Sequence, residues 1–373
     1  MADHFYRQTW VDIDLDAIAY NIKQIKSKLP QQSDIIAVVK ADSYGHGSVQ
    51  VAEKALESGA KMLAVALLEE ALELREAGIN APILVLGWVS PSFTSVAAEQ
   101  DITLTFYQKA WLEEVMNYSF KNKLKLHMKW DTGMGRVGIR SESELTDILH
   151  VIKENNNMEL TGVYTHFATA DEEDLTYFYQ QKERFTKLLS SFKEQWQEPV
   201  AVHIGNSAAS IRFPKEMHNY IRFGISMYGL YPSKAVKNEN LIHLKQAFSL
   251  HSRLIHVKNV PTHESISYGR TYITNDKEWI GTIPIGYGDG WSRKLQGASV
   301  LVDGKRMPIV GRVCMDQMMV RLDREYKVGT EVTLIGEQKN NRIDMDEVAD
   351  YLGTINYEIP CMINNRVPRR FKG

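Results

Sequence analysis

Short apolar runs alternate along the first two thirds of the chain with stretches whose apolar residues recur every three or four positions. The runs cover 35–40, 62–67, 82–87, 102–106, 124–130, 160–166, 200–204 and 220–225, and each has the length and apolar content of a strand buried on both faces. Between them, 48–58, 68–77, 141–154 and 175–197 carry a helical period. Eight such strands alternating with helices over roughly 200 residues predict a closed (β/α)8 barrel. Residues 9–15 behave differently, because Trp10, Asp12 and Asp14 alternate with Val11, Ile13 and Leu15. A period of two predicts a half-buried strand, and its place ahead of the repeat assigns it to another domain. After about residue 240 the helical period fades, and strand-like segments at 247–259, 279–285, 299–302, 311–322 and 331–335 follow, with a helix at 345–352 and irregular chain to Gly373. The expected organisation is α/β: a TIM-like barrel over 16–240 and a mostly-β domain built from 1–15 with 241–373.

Composition narrows the function. A chain of 373 residues suits a large barrel with a smaller module, and 44 basic against 46 acidic residues leave a formal charge of −2. That balance gives no electrostatic footprint for nucleic acid or an anionic membrane, so a small-molecule partner is expected. Residues 1–10 lack the basic-then-apolar order of a secretory signal, and no window approaches the ~20 apolar residues of a membrane span. The expected location is the cytoplasm. Cys314 and Cys361 are far apart, and the 11 histidines form no His-Glu-x-x-His pair, so no disulfide framework or metal site is expected.

In such barrels the chemistry lies where strands run into their following loops. Lys40 ends the first run and enters Ala41-Asp42-Ser43-Tyr44-Gly45-His46-Gly47, where Tyr44 supplies a hydroxyl and the two glycines permit a tight turn. Arg136 lies in the loop after the fifth run, and His166 ends the sixth. The seventh leads to Gly205-Asn206-Ser207-Ala208-Ala209, with a hydroxyl and open amides of the kind that receive phosphate, although Asn206 and Ser207 also suit an ordinary N-cap. The eighth carries Arg222-Phe223-Gly224-Ile225. Gly133-Met134-Gly135-Arg136-Val137-Gly138 matches the dinucleotide fingerprint G-x-G-x-x-G. The acidic residue that should end the next strand is missing, since that strand closes on Tyr164-Thr165-His166, and an NAD-dependent dehydrogenase stays only a minor alternative.

The lysine segment closely resembles the Lys-Ala-Asp-Ala-Tyr-Gly-His-Gly signature of alanine racemases, which use pyridoxal 5′-phosphate. The resemblance extends through Lys129-Trp130-Asp131-Thr132-Gly133-Met134-Gly135-Arg136, Thr165-His166-Phe167-Ala168, Gly205-Asn206-Ser207 and Arg222-Phe223-Gly224-Ile225. In the second domain it continues through Ser267-Tyr268-Gly269-Arg270, Gly286-Tyr287-Gly288-Asp289-Gly290 and Cys314-Met315-Asp316. Ser43 stands where alanine is commoner, and Trp130 where the family usually has a small aliphatic residue, a difference that bears on the packing under Arg136.

The resemblance implies the chemistry. Lys40 holds the cofactor as a Schiff base and is the base for the D isomer, while Tyr268 is the base for the L isomer. His166 lies between that tyrosine and Arg222, which faces the pyridine nitrogen. Tyr44, Ser207, Gly224, Ile225 and Tyr357 contact the phosphate, with Asn206 beside them. Arg136 meets the ring oxygen and the substrate carboxylate, helped on the latter by the Met315 amide, and Lys129 matches a lysine often carried as a carbamate. Tyr268 and Tyr357 form a narrow gate suited to alanine. The implied assembly is a head-to-tail homodimer with shared active sites, and the implied role is D-alanine supply for peptidoglycan. Competing classes are a broad-specificity amino-acid racemase or related decarboxylase using the same cofactor, and a non-catalytic barrel that handles the cofactor. The second domain argues against the last.

Overall fold

A computed structural model describes residues 6–373, so the expectations for residues 1–5 lie outside the described residues. The described chain divides into two compact units, one of residues 17–43 with 48–245, the other of 6–16, 44–47 and 246–373.

The first unit is the expected closed parallel barrel. After an early strand β1 (Thr9–Asp14), which belongs to the other unit, its staves are β2 (Asp34–Val38), β3 (Met62–Val65), β4 (Ile83–Val85), β5 (Ile102–Phe106), β6 (Leu124–Lys129), β7 (Met158–Tyr164), β8 (Ala201–Gly205) and β9 (Tyr220–Phe223). Closure comes from β2 pairing with β9, Ile36 opposite Arg222. The strands are buried on both faces because helices cover the wall, which is why they read as apolar runs without alternation. Two staves are out of step with their neighbours: the β6–β7 register shifts between Leu126 and His127, and the β8–β9 register between His203 and Gly205. Such irregularities redirect the side chains beside them. Trp130, one residue past β6, is fully buried, with its indole 5.1 Å from Phe185 and 5.9 Å from Phe192 on the helix Thr176–Gln195. The indole is thus accommodated against these two rings. Successive strand residues point to opposite faces, so with Lys129 turned toward Tyr164 inside the wall, Trp130 packs on the outer helix layer.

The second unit holds a ten-stranded sheet. Its further strands are β10 (Phe248–Arg253), β11 (His256–Val260), β12 (Ser265–Ile266), β13 (Tyr272–Ile273), β14 (Glu278–Ile283), β15 (Ser299–Val302), β16 (Lys305–Val310), β17 (Met318–Leu322), β18 (Glu331–Gln338), β19 (Asn341–Ile343) and β20 (Arg369–Lys372). The main path runs β11-β14-β17-β16-β15-β18-β10-β1-β20, with β12 and β13 forming a separate pair. Several expectations change here. The segment 247–259 is two strands, not one. In 311–322 only the last five residues are strand, because Gly311 at φ 67° breaks away from β16. The end expected to be irregular contains the helix Glu358–Met362 and β20.

β1 is not half-buried, since Thr9 through Ile13 are all buried. Asp12 tolerates this because Arg370 grips it through two hydrogen bonds, 2.5 and 2.8 Å, and Lys372 adds a third at 2.6 Å. Burial alone would raise its carboxyl, but these two cations outweigh it and hold Asp12 below the usual carboxylate range. Among the described residues, no helix is long and apolar enough to cross a membrane.

Candidate active site

Lys40 opens a turn that no propensity argument anticipates. Ala41, Asp42, Ser43 and Tyr44 all have φ between 50 and 54°, and Gly45 and Gly47 follow at 78 and 96°. A run of left-handed non-glycine residues costs about 1–2 kcal/mol each, so the surroundings must hold it. The Ser43 amide donates to the Val39 carbonyl at 3.0 Å, and the Ser48 amide to Asp42 Oδ1 at 2.8 Å. Glu70 supplies the strongest brace. One of its oxygens accepts from the Ala41 amide at 2.6 Å, and the other from Ala66 and Leu67 at 2.7 and 3.1 Å, tying the lysine turn to the loop after β3. Glu70→Gln turns one acceptor into a donor facing amide N–H groups. We expect it to lower kcat by roughly 10- to 100-fold, the range for hydrogen bonds to a charged group, with the far-ultraviolet dichroism unchanged. Steady-state kinetics checks this.

The other barrel candidates gather near Lys40. Arg222 on β9 is buried, with its guanidinium donating to the carbonyls of Thr165 and His203 at 2.8 and 2.9 Å, to Ile204 at 3.3 Å, and to Nδ1 of His166 and His203 at 3.2 and 2.9 Å. All five acceptors are neutral. Burial brings its pKa down to about 10, and nearby Arg136 pushes the same way. Burial is also the main reason that His166 stays neutral well below the usual histidine range, reinforced by the charges of Arg222, Arg136, Lys129 and Lys40. Since Arg222 donates to His166 Nδ1, the proton of this imidazole sits on Nε2.

Lys129 is buried, and burial followed by repulsion from Arg136 and Arg222 lowers its pKa to about 8 against the opposing pull of Asp131. Arg136 is exposed on the loop after β6, whose glycines have a local task. The amides of Gly133 and Gly135 donate to Asp131 Oδ1 at 3.0 and 2.9 Å, and a Cβ on Gly138 would come 2.3 Å from the Asp131 nitrogen. These amides close a turn on Asp131 and are not aimed at a pyrophosphate, so the dehydrogenase reading has no support from this motif.

At the ends of β8 and β9, the buried Ser207 hydroxyl accepts from the Gly224 amide at 3.1 Å, with Ile225 next in the chain. The Asn206 side chain is an N-cap, its Oδ1 accepting from the Ala209 amide at 2.9 Å. Four cations around a neutral imidazole, with a hydroxyl and an amide at neighbouring strand ends, fit a ligand bearing phosphate and carboxylate charge.

The remaining candidates belong to the strand-rich unit. Tyr44 and Tyr357 have ring centroids 6.3 Å apart, and burial above all pushes the Tyr44 hydroxyl well above its usual value. Tyr268 stands on a turn in which Ser267, Gly269 and Arg270 have φ of 66, 72 and 51°, pinned by the Ser267 hydroxyl donating to the Arg312 carbonyl at 2.6 Å. It is 65% exposed, and Met315 is 53% exposed. The glycine-rich segment 286–290 interlocks with Cys314-Met315-Asp316: the Tyr287 and Gly288 amides donate to the Cys314 and Met315 carbonyls at 3.0 and 2.8 Å. A Cβ on Gly286 would come 2.2 Å from the first of these oxygens.

Sequence reasoning missed Glu70, His127 and His203. Glu70 carried no signal, being one acid in a helical stretch. The histidines did carry one, as polar residues inside fully apolar strands.

Comparison with known proteins agrees with this geometry. Residues 13–232 match the model of the alanine racemase N-terminal domain, and residues 247–371 that of the C-terminal domain. An alanine racemase of Anoxybacillus flavithermus is 54% identical over 100% of this chain and 96% of its own, and one of Geobacillus stearothermophilus is 53% identical over 98% and 94%. The crystal structure of alanine racemase from Bacillus anthracis with bound L-Ala-P superposes with a TM-score of 0.96 at 51% identity, covering 99% of this chain and 96% of that one. The chain belongs to the alanine racemase family of pyridoxal phosphate-dependent isomerases.

Proposed function

We propose that Lys40 and Tyr268 are the two acid–base groups with which this alanine racemase interconverts L- and D-alanine, each serving one face of the substrate. The observation that carries this reading is the neutral His166, fixed by Arg222 beside Lys40 with its proton on Nε2. Inverting a centre needs one group to take the Cα proton and another to return it from the opposite side. When bound, pyridoxal 5′-phosphate supplies a ring into which negative charge at Cα spreads.

Lys40 holds the cofactor. Ser207, Gly224, Ile225, Tyr44 and Tyr357 would hold its phosphate with Asn206 beside them, and Arg222 would meet its ring nitrogen. Arginine does not give up its proton in this setting, so Arg222 would offer that nitrogen a donor and not an acceptor and would disfavour its protonation. Arg136 takes the substrate carboxylate, with the Met315 amide. The Nε2–H of His166 donates to Tyr268 and favours its phenolate, without which a tyrosine titrating near pH 10 is a poor base. The folding domains are 16–240, and 1–15 with 241–373. The enzyme works in the cytoplasm, where it supplies D-alanine for peptidoglycan.

Lys129 is carried as a carbamate. With its pKa at about 8, roughly a tenth of the amine is neutral at pH 7 and free to add carbon dioxide, far more than for an ordinary lysine. Enzyme equilibrated with 13C-bicarbonate should show a bound carbamate signal that grows as pH rises through about 8, and Lys129→Arg should lack it.

The active unit is a head-to-tail homodimer in which Lys40 of one chain works with Tyr268 of the other. Exposure of Tyr268, Met315, Tyr287 and Ile355 on a single chain supports a covering partner. Mixing Lys40→Ala with Tyr268→Phe under subunit exchange tests the arrangement. About half the dimers become heterodimers, in which one site holds both changes and the other neither, so activity should recover to about one quarter of wild type. Heterodimers seen by mass spectrometry without recovery would rule out the shared site.

A further inference from the structure

Behind Arg222 the barrel interior holds two further imidazoles. His203 on β8 and His127 on β6 are both fully buried. Arg222 Nη1 lies 2.9 Å from His203 Nδ1, and His203 Nε2 lies 2.9 Å from His127 Nδ1. A guanidinium only donates, so His203 Nδ1 carries the lone pair and its proton is on Nε2. That proton points at His127 Nδ1, which must accept it, and the proton of His127 is then on Nε2 as well. One cation thus fixes both tautomers in sequence. Protonating either ring would set donor against donor along this line. Burial first, and the charge of Arg222 second, keep both neutral, His127 down to about 3 and His203 well below the usual value.

The wall is shaped for this pair. Both register shifts of the barrel fall at these histidines. A Cβ on Gly162 would come 2.5 Å from the His127 ring, so the strand facing it is cut back to the backbone. Tyr164 lies flat on His203, centroids 4.6 Å apart and planes at 9°, and its hydroxyl is engaged with Thr105 at 3.0 Å. Neither ring can turn without breaking this packing.

A carboxylate at this place would grip a buried arginine more strongly. It would also cancel the charge. We propose that His203, seated by His127, is a positioning residue for racemisation: a neutral acceptor that fixes the Arg222 guanidinium while leaving its positive charge undiminished toward the cofactor's ring nitrogen. The assignment rests on the reading that Arg222 faces that nitrogen.

Three substitutions in the loaded enzyme separate orientation from charge. His203→Asn keeps a neutral acceptor near Nδ1, His203→Asp keeps the shape and adds a charge, and His203→Leu removes the acceptor. The readouts are kcat, KM and the 15N shift of enzyme loaded with ring-labelled pyridoxal 5′-phosphate. His203→Leu should lose roughly 10- to 100-fold in kcat with little change in KM, and His203→Asn should restore most of it. His203→Asp should move the ring nitrogen toward its protonated shift, whereas His203→Asn should leave it where wild type has it.

Equal losses in the leucine and asparagine variants, or a leucine variant within about threefold of wild type, would overturn the proposal. Arg222→Gln distinguishes the two layers of the argument. A ring nitrogen that does not respond to it overturns the reading of Arg222 itself, while one that responds to Arg222→Gln but not to His203→Asp overturns the role of His203. Independently of any variant, histidine-selective 15N spectra of the wild-type enzyme should show both imidazoles protonated at Nε2 and not titrating between about pH 5 and 8. A proton at Nδ1 of either would refute the arrangement.

Discussion

Lys40→Ala enzyme will retain its fold and lose racemisation by at least about 10⁴-fold, because one side chain both carries the cofactor and moves a proton. The loss exceeds that for any other residue of the mouth, since the change removes the covalent attachment as well as one acid–base group. The competing amine is the fraction of Lys129 that carries no carbamate, whose pKa of about 8 makes it the other nucleophile to consider beside Arg136 and Arg222. Borohydride reduction of wild-type enzyme followed by peptide mapping should therefore place the pyridoxyl label on the peptide containing Lys40. A label on Lys129 would overturn the assignment. The braced left-handed turn is what sets Lys40 apart, because Lys129 is packed over the Tyr164 ring, 5.9 Å from its centroid, within the wall.

Tyr268→Phe should be the second most damaging change, and its effect should be lopsided. Removing the phenol takes away the base for L-alanine, at a cost of roughly 10²–10⁴ in Cα proton abstraction, and leaves Lys40 to abstract from D-alanine. Cofactor content should stay near wild type. Deuterium exchange at Cα, followed by stopped flow from each isomer, measures both sides. Equal losses from the two isomers would contradict face-specific roles. The fold should not suffer, since Tyr268 is 65% exposed on the single chain and removal of its hydroxyl leaves no buried group unpaired.

The features legible in the sequence were those with local causes. The barrel strands announced themselves because helix-covered parallel strands must be apolar throughout. Lys40, His166 and Arg222 stood out because strand ends in such a barrel are where charged groups face a ligand. The left-handed turn was not legible, since Ala41, Asp42 and Ser43 have no intrinsic bias strong enough to specify it and Glu70 imposes it from another element. The His127–His203 pair was missed because its meaning depends on Arg222 on the strand next to His203 and on a contact between two histidines 76 residues apart in the chain. β20 was hidden for a related reason: Arg369-Arg370-Phe371-Lys372 resembles a solvated tail until Asp12 is beside it. Burial along β1 followed from that same pairing, which the period of two alone did not reveal.

The placement of β1 also bears on how the chain is made. This strand is synthesised well before its neighbours in the sheet, β10, which begins at Phe248, and β20, which begins at Arg369. At typical elongation rates of about 5–20 residues per second, Trp10, Val11 and Ile13 wait roughly 10–50 s for the first of them, with both edges of the strand unpaired. Throughout that interval the whole barrel is synthesised. The nascent chain therefore carries an apolar, pairing-competent segment ahead of the barrel while a separate unit completes itself behind. That is the situation in which a chaperone that covers the exposed segment raises the yield of native protein.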